Sequence, residues 1–94
     1  MEITAKDVYI FADLCLEIQK TNIEELKKWV ADPAVPYKNK KIYKQQIKYA
    51  EEKLDFLENT KTIVEALYEK SGQALKIEDE DRDAIKAAYF GEAK

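Results

Sequence analysis

The apolar residues in the first third of the chain recur at helical spacing, but they cover more than one side of the predicted helix. No glycine or proline interrupts residues 4–31, and the apolar positions fall into three groups. These are a stripe of Val8, Phe11, Cys15 and Ile18, a second group of Tyr9, Ala12 and Leu16, and a third of Ile10 and Leu14. A helix that is apolar over most of its circumference is buried on more than one side. We therefore expect it to contact a second copy of the chain, through an interface predicted at Tyr9, Ile10, Phe11 and Leu14.

A capping box marks the start of this helix, because Thr4 precedes Asp7 by three residues. The sequence TNIE at residues 21–24 matches the same pattern, with Thr21 three residues before Glu24. A helix could therefore restart at Thr21. We favour a single helix over residues 4–31, and a bend at Thr21 stays open at this point.

A second helix is predicted over residues 38–70, after a loop that contains both prolines, Pro33 and Pro36. One apolar column repeats by four and three residues, as in a coiled coil, and is interrupted at Lys61. It comprises Tyr43, Ile47, Ala50, Leu54, Leu57, Val64 and Tyr68. A second column, spaced by seven residues, comprises Ile42, Tyr49, Phe56 and Ile63. Two columns are wider than one helix covers, so we expect contact with the first helix on one flank and with the third helix or another protomer on the other.

A short third helix completes the predicted fold. Gly72 ends the second helix, since glycine suits the left-handed residue that follows a helix. The third helix covers residues 79–90 and carries Ile85, Ala88 and Tyr89 inward. The fold class is therefore all-α, a long antiparallel helical hairpin with a short C-terminal helix near its open end. The helices are predicted at about 4–31, 38–70 and 79–90, within a single domain over residues 1–94.

Composition narrows the classes of partner. The 94 residues are 46% hydrophobic and 37% charged, which is too apolar for a disordered chain. A net charge of -3 gives the whole molecule no general attraction to nucleic acid or anionic lipid. The N-terminal sequence is acidic, and the longest apolar run, Val8 to Ala12, contains only five residues. Both features favour a cytoplasmic protein with no membrane segment.

The sequence offers little catalytic chemistry. Histidine is absent, and the two glycines are far apart, so neither the commonest general base nor a phosphate-binding loop is present. Asp79, Asp81 and Asp83 alternate as in a calcium loop, but Ala84 and Phe90 occupy the positions that need glycine and glutamate. The single cysteine lies in an apolar run, where a buried thiol is expected. We predict no enzyme activity, no metal site and no cofactor.

A basic segment opens the second helix. Five lysines and no acidic residue lie between Tyr37 and Lys48, although the start of a helix favours negative charge. Free backbone N–H groups and lysines attract anions, and Tyr37 could stack on a base. The residues predicted to bind an anionic ligand or partner are Tyr37, Lys38, Lys40, Lys41, Lys44 and Lys48. Alternatively the segment is a solvated surface, balanced by Glu24, Glu25 and Asp32 at the end of the first helix. Tyr43 and Tyr49 are expected in the core.

Two functions fit these observations. The first is a small non-enzymatic helical interaction protein, homo-oligomeric, that acts by stoichiometric binding to a protein partner. Adaptors, assembly factors and inhibitors of the kind that phages encode match this description. The alternative is a module that binds a nucleotide or nucleic acid through the Tyr/Lys-rich start of the second helix. Salt separates the two, because phosphate binding by lysines weakens steeply with ionic strength.

Overall fold

The first helix, α1, spans Ala5–Ala31 in the computed structural model, which describes residues 2–91. Its start is the predicted capping box. The backbone N–H of Asp7 donates to the Thr4 hydroxyl, and the backbone N–H of Thr4 donates to the Asp7 carboxylate. Thr21 does not restart the helix, because its hydroxyl donates to the carbonyl of Glu17 at 3.1 Å. The single long helix is confirmed.

The second helix, α2, spans Tyr37–Ser71 and is antiparallel to α1. Between them the Asp32 carboxylate accepts a hydrogen bond from the backbone N–H of Ala34, which closes the turn before the second proline. Gly72 then ends α2 with a φ of 74°, the left-handed conformation that glycine adopts without strain. We call the end of the molecule at residues 27–48 the loop end and the opposite end the open end.

The third helix, α3, spans Asp79–Tyr89 and packs against the first half of α1 at the open end. Ile85 joins Ile10 and Leu14 in a small core, with Ile77 and Phe90 partly buried at its edge. Within residues 2–91, α3 makes no helix contact with α2. The prediction that the third helix contacts the outer flank of α2 is therefore wrong. α3 packs instead against the apolar side of α1 around Ile10.

The three helices form a single layer with α1 in the middle. Leu16 is buried beside Lys61 of α2, whereas Leu14 is buried beside Ile85 of α3. Two residues of an α-helix turn through about 200°, so Leu14 and Leu16 point to nearly opposite sides of α1. α2 and α3 therefore flank α1, and the core lies within the layer, between neighbouring helices.

The shape of the molecule agrees with one layer. Its principal dimensions are 52 × 33 × 19 Å, and its radius of gyration is 16.8 Å. A compact domain of this length has a radius of gyration of about 12 Å. Most domains bury their apolar surface between two packed layers. Residues 2–91 supply only one layer, so both of its flat faces lie open.

One flat face is polar, and an ion-pair cluster joins all three helices there. Asp13 of α1 accepts hydrogen bonds from Lys61 of α2 at 2.6 Å and from Arg82 of α3 at 2.5 Å. Arg82 also contacts Glu17 at 3.1 Å. Burial raises the pKa of the Asp13 carboxyl, but the two hydrogen bonds outweigh burial and hold the pKa below its ordinary value. We call this side the polar face; its lining comprises Asp13, Glu17, Lys20, Glu58, Lys61, Thr62 and Glu65.

A candidate interaction face

The column of α2 residues spaced by seven lies in solvent. Its members are Ile42, Tyr49, Phe56 and Ile63, and Leu67 extends it. Phe56 is 70% exposed and Ile63 is 61% exposed, values far above those of core side chains. An α-helix drifts only about 20° over seven residues, so the column stays on one side of α2 for its whole length. We call these five residues the α2 stripe.

The first helix carries a matching row of exposed apolar residues. Val8, Phe11, Ile18 and Trp29 lie at spacings of three, seven and eleven residues, which place them on one side of α1. The half-buried Cys15 lies in the same row, between Phe11 and Ile18. We call the four exposed residues the α1 stripe.

Both stripes lie on the same side of the layer, opposite the polar face. Phe11 precedes Asp13 by two residues, and a two-residue step turns an α-helix by about 200°. The same step separates Phe56 of the α2 stripe from Glu58. Since Asp13 and Glu58 both line the polar face, the two stripes both lie on the other face. Together they form a single surface, which we call the apolar face.

Aromatic contacts fix both ends of the apolar face. At the open end the ring of Phe11 meets Tyr89 edge-on, with 5.8 Å between centroids, and lies 5.3 Å from the ring of Phe90. Val8 and Phe11 also border a shallow cleft of about 280 Å³, whose exposed lining is apolar. At the loop end the rings of Trp29 and Tyr43 are 5.2 Å apart. These contacts pack the large side chains of α1 against other rings of the same chain.

The chain exposes more surface than a compact monomer of its mass. The chain has an accessible surface of 7221 Å². A folded monomer of its mass, 10.9 kDa, is expected to expose about 5,600 Å². The excess is about 1,600 Å², and a standard protein interface buries about 800 Å² on each partner. One partner on the apolar face would therefore bring the surface back toward that of an ordinary globular protein.

The predicted basic segment lies at the loop end and is open to solvent. Tyr37 is 77% exposed, and four of the five lysines are exposed, with Lys40 half-buried. Throughout residues 2–91, no salt bridge reaches these lysines, so Glu24, Glu25 and Asp32 do not pair with them directly. No side chain caps the first turn of α2, where Pro36 is the N-cap residue. Among the described residues, these lysines therefore form a basic patch without ion-pair partners.

The four residues predicted for an oligomer interface have different environments. Ile10 is 0% exposed, and both it and Leu14 are covered by α3 within the chain. Tyr9 is half-buried, with the ammonium group of Lys61 5.0 Å from its ring centroid. Phe11 is exposed on the apolar face. An interface formed by α1 stays a prediction, and Phe11 is the member of the four that remains accessible for it.

The sequence predicts that the outer flank of α2 contacts the third helix or another protomer, and within residues 2–91 the third helix does not cover the α2 stripe. Tyr49 was expected in the core, but it is exposed, and its hydroxyl accepts a hydrogen bond from Gln45 of the same helix at 3.4 Å. The seven-residue spacing of the α2 stripe was the available signal. It identifies a continuous apolar row, but it does not say which of two neighbouring rows α1 covers.

No family model, curated protein or solved structure matches this chain. None of the helices in residues 2–91 has the length and apolarity needed to cross a membrane. The features that bear on function are therefore the two faces of the layer, and above all the apolar face.

Proposed function

We propose that this chain is a small non-enzymatic interaction protein that acts by stoichiometric binding of another polypeptide through its apolar face. The observation that carries the proposal is the exposed pair of stripes on one side of a one-layer fold. Large exposed apolar patches are rare on monomeric proteins and mark interaction sites. Adaptors, assembly factors and stoichiometric inhibitors are the classes that this mode of action fits.

The geometry favours a helical partner. Two antiparallel helices expose parallel rows of large side chains, and the groove between such rows accepts the apolar side of another helix. Phe56 and Trp29 are the expected anchors, since large aromatic residues dominate binding energy at interfaces. Their half-exposed neighbours supply the surrounding contact that excludes water.

The basic segment has a supporting role in this proposal. Lys38, Lys41, Lys44 and Lys48 are exposed and carry no ion pair among the described residues. Exposed charges of one sign speed the encounter with an oppositely charged partner more than they tighten the final complex. We therefore expect the partner to carry acidic residues beside the apolar surface that it presents.

The alternative function is binding of a nucleotide or nucleic acid at the same basic segment. It is favoured by the exposure of Tyr37 and by five lysines that make no ion pair with any described residue. Purified protein that carries such a ligand has a raised ratio of absorbance at 260 nm to that at 280 nm. Substitution of Lys40, Lys44 and Lys48 by glutamine should then remove the ligand while the protein stays folded. Protein that purifies free of nucleotide and fails to bind labelled single-stranded oligonucleotides at low salt excludes this alternative.

Affinity capture from the cell of origin tests the protein-binding proposal. The parent bait is compared with two variants. The first is a double variant on the apolar face, Phe56→Gln with Ile63→Gln, and the second is Tyr37→Gln, an exposed aromatic control outside that face. Capture of a partner at a fixed molar ratio by the parent and the control, and loss of that partner by the double variant, is the expected result. Equal capture by all three baits would contradict the proposal. Circular dichroism of each bait shows whether the helices are retained.

A further inference from the structure

We infer that, in the free protein, a second copy of this chain covers the apolar face, and that the two copies are related by a two-fold axis with opposite orientations. This inference rests on the proposed function, because it names the first occupant of the same face. The resulting dimer has two helical layers, which is the arrangement that lets a domain bury a continuous core. A protein partner then competes with the second copy for the same side chains.

The apolar face has features that suit a second copy of the same chain. A two-fold interface uses one patch twice, so the patch must be self-complementary in shape and chemistry. The apolar face meets this condition in part, since its two stripes carry large exposed apolar residues near both ends, with the polar Asn22 and Glu25 between Ile18 and Trp29. The chain as a whole exposes about 1,600 Å² more than a compact monomer of its mass, which is room for an interface that buries roughly 800 Å² on each copy.

The charge distribution sets the orientation. Residues 27–48, at the loop end, contain seven lysines and a single acid, Asp32, a net charge of +6. The whole chain carries -3, so all other residues together carry -9. Part of that negative charge is the acidic first turn of α3 at the open end. Two copies stacked in opposite directions place each basic loop end near an acidic open end, whereas a parallel stack places like charges together.

The two-fold axis passes close to the middle of both stripes. Ile18 lies near the midpoint of the α1 stripe and Phe56 near the midpoint of the α2 stripe. Side chains on a two-fold axis meet their own counterparts in the partner copy. Phe56, the most exposed member of the face, therefore packs against Phe56 of the second copy and loses its exposure.

Sedimentation of the purified protein across the micromolar range tests the dimer. We expect a reversible equilibrium between monomer and dimer. Phe56→Glu should weaken it by about 100-fold, because each dimer loses two central contacts and gains two facing carboxylates. Thr62→Glu, a matched control on the polar face, should leave the dissociation constant within about 3-fold, since Thr62 lies on the side of the layer opposite to the interface. A strictly monomeric parent, a species larger than a dimer, or equal effects of the two substitutions would overturn the inference.

Distances between spin labels test the orientation. In a Cys15→Ala background, one label is placed at the loop end as Tyr37→Cys and another near the middle of α2 as Glu52→Cys. In the antiparallel dimer the Tyr37 labels should be separated by nearly the 52 Å length of the molecule, and the Glu52 labels by less than half of it. Short distances at both sites indicate a parallel dimer and overturn the orientation. These measurements contain no other protein, so their failure removes the second copy as occupant and leaves partner capture to judge the proposed function.

Discussion

Lys61 of α2 reaches across the polar edge of the hairpin to Asp13 of α1, with 2.6 Å between Nζ and Oδ1. Lys61 is also the position at which the core column of α2 loses its apolar character. The structure explains this exception, because Asp13 binds Lys61 and Arg82 at once and thereby links all three helices. A polar residue in an otherwise apolar column fixes the register between helices, as polar core positions do in coiled coils.

Replacing Asp13 by asparagine should lower the free energy of unfolding by about 2 kcal/mol at neutral pH, the typical loss for hydrogen bonds to charged groups. Because the pKa of Asp13 is lowered in the folded state, its contribution is fully present above the ordinary carboxyl pKa of about 4. It is lost as pH falls through the lowered, folded-state pKa. Chemical denaturation of parent and variant at a series of pH values measures the difference, which should shrink in acid.

Asp55→Asn is the control for this prediction. Asp55 is exposed on α2 and makes no ion pair with any described residue. Its substitution should change stability by less than about 0.5 kcal/mol, as surface substitutions usually do. A pH dependence in Asp13→Asn as steep as that of the parent would show that Asp13 is not the group that titrates.

Ile10→Ala should cost about 2 to 5 kcal/mol, because Ile10 is fully buried where α3 meets α1. The loss should act first on the docking of α3. Fluorescence of Trp29, which lies at the far end beside Tyr43, reports on the hairpin, whereas circular dichroism reports on all helices. We expect the two transitions to separate in the variant. Ile3→Ala, at a position that is 65% exposed, should cost less than about 1 kcal/mol and keep them together.

Substituting Lys40, Lys44 and Lys48 by glutamine should leave the fold intact. It should raise stability slightly, because like charges four residues apart destabilise a helix by a few tenths of a kcal/mol per pair. The same change should weaken the dimer at low salt and have little effect at high salt, where charges are screened. Sedimentation at two ionic strengths measures both effects.

Substitution of lysines at the acidic open end is a control that should have the opposite effect on dimer affinity. Lys70→Gln with Lys76→Gln makes the open end more negative, so it should tighten the dimer at low salt. Weakening by both sets of substitutions would show that charge pairing between opposite ends does not orient the two copies.

The native cysteine reports on the apolar face without any substitution. Cys15 lies in the row of the α1 stripe, and burial raises the pKa of its thiol above the ordinary value. Since the thiolate is the reactive form, alkylation should be slow at neutral pH. We expect the rate to fall further as protein concentration rises and the second copy covers the face. A rate that does not change with concentration over the range in which sedimentation detects dimer would place Cys15 outside the interface.

The fold was predictable from the sequence because its signals are local. Helical spacing, the Thr4 capping box, the two prolines and Gly72 set three helices whose bounds differ from the expected ones by at most one residue. The core column of α2 followed from its four-three repeat. The sequence did not predict which helix packs on which side of α1, because its three apolar sides are equally suitable for α3. The loop at residues 72–78 makes the choice by placing Ile85 against Ile10. The exposure of Phe56 depends on that choice, since α3 would otherwise have been available to cover α2.

In the proposed dimer, the lifetime of the folded chain depends on its own abundance. When a second copy binds the folded form and not the unfolded form, folding is stabilised by mass action, so the melting temperature rises with concentration. Proteases that attack opened molecules then act mostly on dilute chains. A cell that makes little of this protein would clear it quickly, whereas one that makes more would accumulate it out of proportion to synthesis. Through the proposed dimer, protein dosage thus becomes a determinant of turnover.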